Sequence, residues 1–201
     1  MVDQAKIDIS MTTIAIITAL PQQSAIAQQE MEQILTPPLI IGQSPEGLLV
    51  SSQKDRIQVI AGGIKTNVRD LSGRKTFSRN NIPAILNFFI QRFALQVTSY
   101  GVNFVINVPC IEPVKWIGDN ILSTQVSQKT GKTLIGGAAT IKIASGQKTW
   151  NIKFEPSGDK MIKVDFNASE KTQQLPDQQR LREELQEQYH ALLGFLDALE
   201  L

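Results

Sequence analysis

Between Val97 and Val108 the side chains alternate, with Tyr100, Val102, Phe104, Ile106 and Val108 on one side and Ser99, Gly101, Asn103 and Asn107 on the other. Only Val105 interrupts the alternation. A period of two places successive side chains on opposite faces of a strand, so this run predicts a strand with one face in a core and one face polar. Trp150, Ile152 and Phe154 alternate with Thr149, Asn151 and Lys153, and Ile162, Val164 and Phe166 alternate with Lys163, Asp165 and Asn167. The turn-forming Pro156-Ser157-Gly158-Asp159 lies between them, which predicts a hairpin. Shorter β-type runs at Ile14 to Leu20, Leu39 to Ile41, Leu48 to Ser51, Arg56 to Ile60 and Leu134 to Ala144 are separated by Gly42, Pro45-Glu46-Gly47 and Gln53-Lys54-Asp55.

Two stretches carry the helical period. Ile82, Ile85, Leu86, Phe89, Ile90 and Phe93 draw one apolar stripe, with Ser78 or Asn80 available as a cap and Pro83 tolerated in the first turn. Pro176 and Asp177 open a longer helix, with Leu181, Leu185, Tyr189, Leu192, Leu196 and Leu199 on one stripe and Leu193 and Phe195 widening it. A third, weaker helix is expected over about Ser24 to Leu35, ahead of Pro37-Pro38. The basic stretch from Lys65 to Arg79 has neither period and reads as a surface loop or an edge strand. No sequence repeat is evident.

One-sided alternation belongs to antiparallel sheets, whereas parallel sheets give continuous apolar runs. The expected fold is therefore α+β: a mainly antiparallel sheet with one face covered by amphipathic helices, the long C-terminal one included. A chain of 201 residues with 42% apolar side chains supplies one sizeable core, so residues 1–201 are read as one domain, with 1–10 a candidate ill-ordered extension ahead of a second possible start at Met11.

Composition narrows the setting. Cys110 is the only cysteine, which excludes an intramolecular disulfide and suits a reducing, cytoplasmic environment. Ile14 to Leu20 is too short to span a bilayer. Ala25-Ile26-Ala27 has the form of a signal cleavage site, but Asp3 and Asp8 precede it against Lys6 alone, the wrong charge balance for a signal peptide.

The search for catalytic or ligand-binding motifs is largely negative. Gly131-Lys132-Thr133 resembles the end of a phosphate-binding loop, but Val126 stands where the motif needs glycine. Ser44 lacks the second glycine of a nucleophile elbow, and Pro45 follows it. His190 is the only histidine, so a catalytic triad or a zinc site would rest on one imidazole, and Cys110 has no basic helix terminus beside it. No metal and no organic cofactor is expected. Paired carboxylates leave a hydrolase or transferase as an alternative, with Asp165 on the polar face joined by Glu155 and Asp159 and by Asp119 or Asp70.

Charge is segregated along the chain. Residues 54–79 carry Lys54, Arg56, Lys65, Arg69, Arg74, Lys75 and Arg79 against Asp55 and Asp70, and residues 129–171 carry eight lysines against Glu155, Asp159, Asp165 and Glu170. Residues 177–201 are acidic. Phe77 is the only aromatic in the first basic stretch, which argues against single-strand nucleic-acid binding by stacking. The function that fits best is a non-enzymatic protein-binding or assembly protein that self-associates, contacting a second copy or another protein. The expected contacts are Lys65, Arg69, Arg74, Lys75 and Arg79 in the basic segment and Phe195 in the C-terminal helix, with the exposed sheet edge as a further surface. Nucleic acid on the two basic segments is the weaker alternative.

Overall fold

The computed structural model describes residue 3 and residues 5–18, 28–78, 81–122 and 137–201. Among the described residues nine strands form one antiparallel sheet: β1 (Asp8–Thr18), β2 (Leu39–Ser44), β3 (Gly47–Ser52), β4 (Ile57–Gly62), β5 (Lys65–Asp70), β6 (Val97–Pro109), β7 (Ala139–Ser145), β8 (Lys148–Pro156) and β9 (Met161–Lys171). Among the described residues the helices are α1 (Gln28–Met31), α2 (Ile82–Phe93), α3 (Pro113–Asn120) and α4 (Gln178–Ala198). Across the sheet the order is β2-β3-β4-β5-β1-β6-β9-β8-β7.

That order contains a repeat that the residues do not advertise. In each half a long central strand (β1, β6) leads through a helix (α1, α3) to the far side of the sheet. An antiparallel meander then returns to pair with the free side of that same central strand, and a longer helix (α2, α4) follows. The meander has four strands in the first half and three described strands in the second. β1 and β6 pair antiparallel down the middle, Thr13 opposite Asn103, so the halves are related by an approximate two-fold axis through that seam.

Register assigns the faces. Ile14 pairs with Val68 and Val102, Val102 with Ala168, and Ala168 with Trp150, so these side chains share one side. Phe104, Phe166 and Ile152 follow in the next row. Ile14, Ile16, Phe104, Ile106, Ile152, Phe154, Ile162, Val164 and Phe166 are all fully buried, as the alternation predicts, while Trp150 is half-buried. The helices meet particular strands: α2 contacts β1, β5 and α4, α4 contacts β6, and α3 contacts β8. Phe104 therefore lies against Tyr189 of α4, while the α2 stripe of Ile82, Ile85, Leu86 and Phe89 serves the first half.

Several expectations are corrected. Lys65–Asp70 is neither loop nor edge but interior strand β5, paired with both β1 and β4, because Thr66, Val68 and Asp70 turn inward while Lys65 and Arg69 stay on the other side. Downstream of it Phe77 is fully buried, its ring 5.6 Å from Phe104 and 5.7 Å from Tyr189, and so anchors the connection to the core. β1 begins at Asp8 with Ile7 and Ile9 buried, so the stretch ahead of Met11 contributes core side chains where an ill-ordered extension was expected. The N-cap of α2 is Asn81 and makes no side-chain capping bond, whereas Asp177 caps α4 by accepting from the Arg180 N–H at 2.8 Å. Helix α3 has no signature in the sequence, since eight residues burying only Pro113 and Ile117 show no usable period. The N-terminal part of the expected Ser24 to Leu35 helix, and Leu134 to Gly136 of the expected strand, fall outside the described residues. No helix among the described residues is long and apolar enough to cross a membrane.

The first edge of the sheet is pinned by polar side chains. Thr36 donates to Asp55 through its N–H (2.6 Å) and its hydroxyl (2.8 Å), Ser52 Oγ donates to the Thr36 carbonyl (2.7 Å), and the Asp55 N–H donates to Ser52 Oγ (3.1 Å). Desolvation would raise the Asp55 carboxyl, but the hydrogen bonds from Thr36 and Ser52 outweigh it and hold the pKa below the usual range. A depressed carboxylate contributes stability above its unfolded pKa and loses it as pH falls through the folded value. Asp55→Asn should cost about 1 to 2 kcal/mol at pH 7 by urea denaturation, and the difference from the parent should shrink on acidification below about pH 4. A pH-independent difference would assign the effect to shape rather than charge. On the same edge Gly47 sits at φ +133°, and a Cβ there would stand 2.4 Å from the Ala61 carbonyl oxygen, so only glycine allows this turn to lie against β4.

Candidate functional site

Three regions have the chemistry for recognition. The first is the sheet face opposite the aromatic core. Row by row it presents Arg69, Thr13, Asn103, Asn167, Asn151 and Lys142, then Asn67, Ala15, Gly101, Ser169, Thr149 and Ala144. Asn167 donates to Asn103 across the β6–β9 pair, and Asn107 donates to Ser10 Oγ at 3.0 Å. The Thr13 hydroxyl is buried with no hydrogen-bond partner among the described residues. A concavity of about 640 Å³ at one end is lined by Ile17, Ser99, Gln147, Thr149, Ser169, Glu170 and Lys171.

The second is an ionic cluster at the base of α4. Lys148 Nζ lies 2.6 Å from Glu170 and 3.1 Å from Glu184, whose side chain is 3% exposed, and 3.4 Å from the Tyr100 hydroxyl. Arg180 reaches Glu184 at 3.5 Å and holds Glu187 at 2.8 and 2.9 Å. Burial alone would depress the Lys148 ammonium, but the hydrogen bonds to Glu170 and Glu184 prevail and raise its pKa. Such a lysine stays protonated and serves poorly as a nucleophile. The sequence held a signal for this cluster, an acid directly before Leu185 on the apolar stripe of α4.

The third is the outer strand β2. Leu39-Ile40-Ile41-Gly42-Gln43-Ser44 carries no charge, and Ile40 and Ile41 are 50% and 37% exposed. At the other end of the described sheet, β7 presents the exposed Lys142. Lysine on an edge discourages pairing with another chain, and β2 has no such guard.

The residues expected at a contact are dispersed. Lys65 and Arg69 stand on the polar face of β5, and Arg69 pairs with Glu46 at 3.4 Å. Arg74 is exposed, Lys75 donates to the Ala5 carbonyl at 3.4 Å, and Arg79 lies outside the described residues. Phe195 is half-buried with its ring edge-on to Trp150 at 6.3 Å, and Leu181, Leu185, Leu192, Leu193 and Leu196 are buried. The apolar surplus of α4 is thus taken up within the chain.

The candidate carboxylates are not gathered either. Asp165 is exposed on the polar face, whereas Asp70 is buried on the opposite face, with β1 and β6 standing between their strands. Glu155 is bound by Lys153 at 2.5 Å and Lys163 at 3.4 Å, and the Lys153 hydrogen bond first of all holds its pKa low, which keeps it ionised rather than ready to donate a proton. Cys110 is half-buried with its thiol pushed up by burial, and exposed His190 lies 2.9 Å from the Gln186 amide and beside the Tyr189 ring at 6.3 Å. Among the described residues no group of three or more His, Cys, Asp or Glu side chains is placed to hold a metal ion. In comparisons with known proteins the chain matches no protein family, no curated protein and no solved structure.

Proposed function

We propose that this is a non-enzymatic assembly protein whose copies join edge to edge through β2. The observation that carries the reading is the uncharged outer strand with Ile40 and Ile41 exposed. An unpaired strand edge is a row of unused backbone donors and acceptors, and a second β2 laid antiparallel satisfies both rows at once. Every neighbouring pair in the sheet is antiparallel, so that addition continues the existing pattern and creates a symmetric two-fold contact rather than an open chain. Ile40 and Ile41 point to opposite sides of the strand, so each face of the joint would bury one apolar side chain from each copy. The Thr36, Ser52 and Asp55 network keeps the strand's start in place and lowers the ordering cost of association. A second protein with an extended apolar segment fits the same edge less economically, since self-pairing needs no other component.

Six residues per strand make a small contact, well below the area of stable interfaces, so the association should be concentration-dependent. Light scattering coupled to size exclusion, run from about 1 to 200 µM, should show the mass rising from one chain to two, a window set by the affinities expected of small interfaces. Ile40→Lys should stay folded and monomeric throughout, while Thr140→Lys on β7 should leave the dimer intact. A monomeric mass for the parent at every concentration, or an Ile40→Lys variant that still dimerises, would refute the reading.

A further inference from the structure

We propose that the polar face of the sheet docks double-stranded nucleic acid through its phosphate backbone. The proposal goes beyond edge pairing and does not depend on it. Its basis is a convergence that topology creates. The two basic segments lie far apart in the chain, but β5 sits beside β1 and so shares a sheet with β9, β8 and β7. Register then places Lys65, Arg69, Lys142, Lys153, Lys163 and Lys171 on one face, against Asp8, Glu155 and Asp165.

Local pairing decides which of these cations can serve a partner. Glu155 occupies Lys153 and Lys163, and Glu46 holds Arg69. Lys65, Lys142 and Lys171 are exposed and have no ion-pair partner among the described residues. Lys65 and Lys171 stand in one row, separated by Ile17 and Ser99, which is three strand spacings or about 14 Å. Lys142 closes the amide row further along the strands. Between the cations the face offers the half-buried amides of Asn103, Asn151 and Asn167. Phosphates want cations at the margins, and sugar and base-edge atoms want neutral donors and acceptors between them.

The same face argues for a duplex over a single strand. Tyr100, Phe104, Trp150, Phe154 and Phe166 all lie on the opposite side by register, so no aromatic ring in the described strands is available here to stack an unpaired base. An acidic protein is the competing polyanion, and the row of amides between the lysines favours a ligand whose charge is confined to its margins.

The test is fluorescence anisotropy of a labelled DNA duplex of about 20 base pairs, titrated with the full chain between 50 and 200 mM salt, the range over which phosphate contacts show their salt dependence. The duplex should bind more tightly than either of its single strands and more tightly than polyglutamate of matched charge. Lys65→Gln/Lys142→Gln/Lys171→Gln, checked for an unchanged melting temperature, should lose tenfold or more in affinity. Its slope of log affinity against log salt should fall by about 2 to 3, the share of three phosphate contacts. Arg92→Gln/Lys115→Gln, on the helices that pack against the other side of the sheet, should bind as the parent does. Failure to bind the duplex at 50 mM salt, equal or better binding of single strands or polyglutamate, or a triple variant with unchanged affinity and slope would each overturn the proposal.

Discussion

Truncating Phe104 to alanine should destabilise the fold by about 3 to 5 kcal/mol, as expected for a large side chain removed from a fully buried site. Phe104 is 0% exposed, and three rings close around it: Phe77 at 5.6 Å, Tyr189 at 5.6 Å and Phe166 at 6.1 Å. Each ring comes from a different element, the connection after β5, helix α4 and strand β9. The vacated space therefore has no single flexible neighbour that can collapse into it, which puts the expected loss in the upper part of the range. Urea denaturation followed by fluorescence reads it directly, and Thr140→Ala, exposed on β7, should stay within about 0.5 kcal/mol of the parent. A loss below about 1.5 kcal/mol for Phe104→Ala would mean that the three elements move together easily, contrary to the packing described.

The second large effect belongs to Lys148. Replacing it with methionine keeps the stem but strips Glu184 and Glu170 of their common counter-charge, and breaking a buried pair from one side costs about 3 to 5 kcal/mol. Arg180 still reaches Glu184 at 3.5 Å, which places the expected value near 3 kcal/mol. The double variant Lys148→Met/Glu184→Leu should recover to within about 1 kcal/mol of the parent, because the deeply buried carboxylate is gone and the remaining Glu170 side chain, 22% exposed, keeps contact with solvent. The pH dependence has a definite sign. In the parent, the raised ammonium pKa means that its contribution is complete below the ordinary lysine range and is lost only as pH climbs through the raised value. A double variant no better than the single one would assign Lys148 a packing role instead.

The strands with one-sided burial were legible in the sequence because a core on one side leaves a period-two trace. The trace of β6, β8 and β9 is clean enough to give the face of Phe104 and Ile152 before any coordinates. β5 leaves no such trace for the opposite reason: its inward positions are Thr66, Val68 and Asp70, two of them polar, so no apolar period marks an interior strand. The functional surfaces were half visible. Asn103, Asn151 and Lys153 were on the polar face by alternation alone, and the two basic stretches were plain, but their meeting on one surface depends on strand order, which no local pattern encodes. The apolar excess of α4 pointed outward to a partner, whereas Trp150, itself counted as core, received Phe195. Ile40 and Ile41 gave no warning, since an exposed edge and a buried strand have the same composition when neither carries charge.

The two-fold seam also has a consequence for how the chain reaches this state. Within each half the meander strands are joined by short turns, β3 to β4 and β8 to β9 among them, and their contacts close small loops. The seam instead sets Thr13 against Asn103, and that pairing must recover the closure entropy of everything strung between them. Local meanders are therefore the units that gain structure cheaply, and the join of β1 to β6 is the slow, cooperative step that turns two partial sheets into one. Until it closes, the long central strand of each half has an open side, and the chain is most exposed to pairing with the wrong neighbour along the two strands that later become its best-protected interior.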